Sequence, residues 1–73
     1  MTERHPAIQS ILRFFTFTHL PPKLQAISEP FAQLATQVAD RAPSDPETTV
    51  ALRKLLEAKD AAVRAAISTR DTP

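Results

Sequence analysis

Residues 44–68, SDPETTVALRKLLEAKDAAVRAAIS, decide the fold. Asp45 is a good helix N-cap. Pro46 suits the first helical position, where its missing N–H costs nothing, and Glu47 complements the positive end of the helix dipole. Ser44 and Glu47 also have the spacing of a capping box. Leu52, Leu55, Leu56, Lys59, Ala62, Val63 and Ala66 then recur at steps of three and four, which predicts one apolar stripe on a helix over 46–68, about 33 Å long. Arg53 with Glu57, and Asp60 with Arg64, are placed for surface pairs at i,i+4.

Upstream, Arg41-Ala42-Pro43-Ser44-Asp45 reads as a short loop, and Pro21-Pro22 opens a second helix over 22–41. Its apolar positions Leu24, Ile27, Phe31, Leu34 and Val38 hold their phase through Pro30, so a continuous, kinked helix is favoured over a fresh start capped by Ser28. Pro6 starts a first helix over 6–15 with Ile8, Ile11, Leu12 and Phe15 at helical spacing. Residues 16–19 are β-branched and aromatic and lie just before a proline pair, so they read as a connector. The expectation is an all-α single domain over 1–73, a short N-terminal helix followed by a long antiparallel helical hairpin.

Composition narrows the function. Glycine is absent, so neither a Walker loop nor a dinucleotide fingerprint exists here, and the lack of asparagine as well removes the favoured hairpin turns. With no cysteine there is no disulfide or thiolate metal site. His5 and His19 have no carboxylate spaced to complete a zinc site, so no metal and no cofactor is expected. Nine basic against eight acidic residues give a net charge of +1, too weak a field for unspecific binding of duplex nucleic acid. No stretch approaches the roughly 20 apolar residues of a membrane span and no signal-peptide core is present, so cytoplasmic location without membrane attachment is expected. A lone histidine without a positioned nucleophile, and carboxylates scattered over helical surfaces, give no acid–base constellation; the expectation is not an enzyme.

At 73 residues a monomer removes only about 60% of its unfolded surface from water. The third helix is also alanine-rich at Ala58, Ala61, Ala62, Ala65 and Ala66, which lets other helices approach on more than one face. A homo-oligomer is expected, with the third helix meeting its symmetry mates.

Three groups of residues are candidates for binding. Phe14, Phe15 and Phe17 with Thr16, Thr18 and His19 suit stacking on a nucleobase; for Phe14 and Phe15 a role in the core is the stronger reading. Lys23 stands by a helix start that can hold a phosphate, although the two prolines remove two of its donors, and a solvated lysine is the plainer reading. Arg53-Lys54 is the one adjacent Lys/Arg pair, with Lys59 and Arg64 further along. In a symmetric assembly these converge on an anion; within one helix they pair with Glu57 and Asp60.

The run Phe17-Thr18-His19-Leu20-Pro21-Pro22, then Leu24-Gln25, Pro30-Phe31, Leu34-Ala35, and Ala51-Leu52-Arg53-Lys54-Leu55-Leu56-Glu57-Ala58-Lys59-Asp60-Ala61-Ala62, resembles the small phage-encoded anti-CBASS sponges for cyclic oligonucleotides. Those are related to the sponges that blunt Thoeris immunity. The resemblance covers roughly residues 15–67. It implies dimers that build a hexamer, separate sites for cyclic dinucleotides and cyclic trinucleotides between subunits, and immune evasion by sequestering the messenger in the host cytoplasm without degrading it. It further implies that Phe17 stacks on a base and that Arg53 and Lys54 grip phosphates. Phenylalanine stands where the family often has tyrosine, so that hydroxyl contact is lost, and the N-terminal arm matches no motif of the family. The alternative is an interaction module whose apolar segment around Ile8, Ile11, Leu12 and Phe15 docks on a partner protein.

Overall fold

Prolines set the helix starts. In the computed structural model, which describes residues 5–68, helix α1 spans Pro6–Leu12, α2 spans Pro22–Arg41 and α3 spans Pro46–Ser68; a 3-10 turn, Arg13–Phe15, continues α1. Residues 1–4 and 69–73 of the expected domain lie outside the described residues. The fold is all-α.

Each boundary has a local cause. His5 Nδ1 accepts from the Ala7 N–H at 3.1 Å and caps α1, with Pro6 at its first position. The helix α2 stops at Arg41 because Ala42, held before Pro43, is extended (φ −81°, ψ 149°). Asp45 Oδ1 accepts from the Glu47 N–H at 2.8 Å, so Asp45, and not a box between Ser44 and Glu47, closes the start of α3. Thr48 is buried beside this cap and its Oγ1 donates to the Pro43 carbonyl at 2.6 Å, tying the loop to the helix. No described residue has positive φ, so nothing in this fold asks for glycine.

α2 is continuous through Pro30. The proline deletes the bond to the Ala26 carbonyl, but Ala26 and Pro30 are both exposed, so water can take that carbonyl.

α2 and α3 share the main packing surface, and α1 lies against both. The core is Ile8, Ile11, Phe15, Ala35, Ala39 and Leu52, with Leu12, Phe31, Ala32, Val38, Leu55 and Leu56 packed on it. Ile8, Ile11 and Phe15 are thus consumed inside the chain. Every residue of the α3 stripe is buried or half-buried.

The structure corrects two expectations of burial. Leu34 is 47% exposed, while its neighbour Ala35 and then Ala39 are buried, because the close approach of α1 and α3 to α2 admits a methyl and excludes a leucine. Phe14 is not core but 59% exposed. Ile8, Ile11 and Phe15 define the inner face, and Phe14, one step off Phe15, falls outside it. Val50 and Ile67 on α3 are also partly exposed. Among the described residues no helix is long and apolar enough to cross a membrane.

Candidate functional site

The connector between the 3-10 turn and α2 is held by short polar contacts. Thr16 donates its N–H and its Oγ1 to the Arg13 carbonyl, at 3.4 and 3.0 Å, closing the 3-10 turn. The Leu20 N–H donates to the Phe17 carbonyl at 3.0 Å, which folds residues 17–20 into a turn. Gln25, on the second turn of α2, donates from Nε2 to the carbonyls of Thr18 (3.3 Å) and Leu20 (2.7 Å).

This connector and the second half of α3 enclose a cleft of about 400 Å³ lined by Arg13, Phe14, Thr16, His19, Leu20, Lys59, Asp60, Val63 and Arg64. The Lys59 stem is largely covered, with 14% of its side chain exposed, and its Nζ lies 3.0 Å from Asp60 Oδ1. Three cations against one carboxylate leave the cleft, His19 not counted, with an excess of two positive charges. Since Lys59 takes up Asp60, the guanidinium groups of Arg13 and Arg64 have no acidic partner among the described residues. The exposed Phe14 ring stands in the wall of the same cleft. Two unspent guanidiniums beside a solvent-facing aromatic ring form a surface for an anion that carries a planar group.

The residues singled out in the sequence are distributed over several places. His19 is in this cleft. Phe17, half-buried, lies in shallow grooves against α2, beside Ala32 and Thr36. Lys23 is exposed on the first turn of α2, outside the cleft. Arg53 is exposed and lines a separate cavity of about 400 Å³, mostly apolar, with His5, Ala7, Ile8, Pro46, Thr49 and Val50. Lys54 is exposed, its Nζ 3.9 Å from Glu57 Oε1. One chain therefore does not bring Arg53 and Lys54 to Phe17 and His19.

The expected pairs Arg53–Glu57 and Asp60–Arg64 are replaced by Lys54–Glu57 and Lys59–Asp60. Exposed pairs contribute so little that side-chain direction at each position decides between near-equal partners. Arg13 and Asp60 are the charged cleft residues that sequence reasoning missed as ligands, and Phe14 is the one it read more strongly as core. Their signal was an arginine and an aromatic ring immediately before a connector. Among the described residues no three His, Asp or Glu side chains group as a metal site. No protein-family model, no curated protein and no solved structure matches this chain.

Proposed function

We propose that the chain is a non-enzymatic sponge that binds a cyclic di- or trinucleotide second messenger and so blocks CBASS-type anti-phage signalling. The observation that carries the reading is the cleft in which Arg13, Arg64, Phe14 and His19 meet. Phosphodiester oxygens suit the two guanidiniums, a base suits the Phe14 ring, and nothing in the reading requires bond cleavage.

The resemblance of the connector and α3 to the anti-CBASS sponges supports the same ligand class. On this reading α2 and α3 form a helical hairpin, and copies of it assemble as dimers and then a hexamer. Arg53, Lys54 and Phe17, apart within one chain, then reach a ligand from different subunits. The exposed side chains of Leu34, Val50, Ile67, Ala58, Ala61 and Ala65 are the surface such an assembly would cover. Burial of Ile8, Ile11 and Phe15 in this chain's own core favours this reading over the rival one, docking on a partner protein through Ile8, Ile11, Leu12 and Phe15.

The test is titration calorimetry with a panel of cyclic di- and trinucleotides, with light scattering of the free protein alongside. At least one ligand binds reversibly and is recovered intact. Arg13→Ala and Arg64→Ala each weaken binding about tenfold or more, as expected for a lost charge-assisted contact, and added salt weakens it further. No heat and no thermal stabilisation with any member of the panel would remove the proposal.

A further inference from the structure

We infer that Gln25 is the positioning residue of this site: its amide gives the Thr18 carbonyl the donor that Pro21 and Pro22 cannot, gives a second to the Leu20 carbonyl, and thereby fixes the connector that carries His19. The inference rests on the sponge reading for its functional meaning, and on geometry for the rest.

A turn normally satisfies the carbonyl of its first residue with the N–H three or four positions on. For Thr18 those positions are Pro21 and Pro22, and neither has an N–H. Backbone alone therefore leaves the Thr18 carbonyl without its nearest donors, while the Leu24 N–H, which could serve the Leu20 carbonyl, goes to Pro21 instead. A primary amide has two N–H groups on one nitrogen, and Gln25 Nε2 spends them on these two carbonyls, at 3.3 and 2.7 Å. The two carbonyls belong to the Thr18–His19 and Leu20–Pro21 peptide units, so the chain just before His19 and the chain just after Leu20 are both tied to α2. Gln25 itself is half-buried, and so is its shorter bond, the one to the Leu20 carbonyl. The proline pair and Gln25 thus act as one device: the prolines stiffen the entry to α2 and deny the Thr18 carbonyl its local donors, and the glutamine serves that carbonyl and Leu20's from within α2.

The discriminating variant is Gln25→Met, which keeps length, neutrality and helix propensity and removes both donors. The first measurement needs no ligand. In the free protein, amide hydrogen exchange at Leu20, whose N–H closes the turn to Phe17, speeds up about tenfold, while amides in the middle of α3 keep their wild-type rates. The second is titration with a 3′,3′-cyclic dinucleotide: Gln25→Met weakens binding about tenfold while the protein remains fully folded at the titration temperature, and Gln25→Asn, which retains the amide on a shorter arm, recovers part of the loss. Unchanged Leu20 exchange overturns the inference whatever the ligand does. Faster exchange with wild-type binding overturns the positioning role. Failure of the wild-type protein to bind any cyclic oligonucleotide removes the sponge reading, and Leu20 exchange still decides whether Gln25 holds the turn.

Discussion

Leu52 and Leu34 are the same residue type on the two long helices, and the structure separates them sharply. Leu52 is 0% exposed, within the cluster of Ile8, Ile11, Phe15, Ala35 and Ala39, and Leu34 is 47% exposed on α2. Truncating a fully buried leucine loses its transfer free energy and leaves a cavity, together roughly 2–5 kcal/mol. The whole stability of a chain of 73 residues is about 4–11 kcal/mol at the usual values per residue. Leu52→Ala therefore removes about a fifth or more of it and lowers the melting temperature by about 8 °C or more. Leu34→Ala forfeits only part of a side chain's burial, opens no cavity and gains slightly in helix propensity, so its cost is about 1 kcal/mol or less. Urea denaturation followed by helical circular dichroism, at matched m-values, measures both. Equal costs for the two variants would refute the assignment of the inner face of α2. Repeating the comparison over a hundredfold range of protein concentration tests the assembly as well: if Leu34 is covered by another copy, its cost grows with concentration, whereas that of Leu52 does not depend on a partner face.

Two further substitutions test the internal polar contacts. Ser28 is fully buried and its Oγ has no hydrogen-bond partner, so Ser28→Ala should stabilise the fold by about 1–2 kcal/mol, read as a higher urea midpoint; a loss of stability would reveal a partner for that hydroxyl. Thr48→Val keeps the shape but removes the 2.6 Å bond to the Pro43 carbonyl, and should cost about 1–2 kcal/mol in the same assay, with an unchanged value contradicting the role of Thr48 in tying loop 42–45 to α3.

Much of the all-α fold is legible in the sequence because prolines and caps act locally. Pro22, and Asp45 with Pro46 and Glu47, mark helix starts through chemistry that needs no tertiary contact. The α3 stripe is legible for a similar reason: steps of three and four are a property of one helix. On α2 the same reasoning picks out Leu24, Ile27, Phe31 and Val38 but also Leu34. Hydropathy ranks leucine above alanine, whereas the spacing between packed helices selects by size, and that spacing is set by how α1 and α3 close on α2, which no single helix's periodicity encodes. The candidate cleft is legible only in part. His19 stands out as an imidazole in a connector. Arg13 and Phe14 do not, since a ring at helical spacing reads as core until the packing shows which of two adjacent phenylalanines has room inside. The role of Gln25 depends on where a side chain five to seven residues downstream reaches, which no periodicity encodes.

The buried core residues are unevenly distributed along the two long helices. Those of α3, Thr48 and Leu52, lie in its first two turns, and from Leu55 onward every described residue of α3 is at least partly open to water. Opening of such a helix is graded: the loop-proximal turns should exchange their amides only with the whole fold, and the distal turns on their own at much lower cost. Arg64 sits on the distal part, and Arg13 on the segment that packs nearer the core. A ligand bridging these two arginines would tie the distal turns of α3 to the turn that carries Phe15, so slowed exchange spreading from Lys59 towards the end of α3 would accompany occupancy of the cleft.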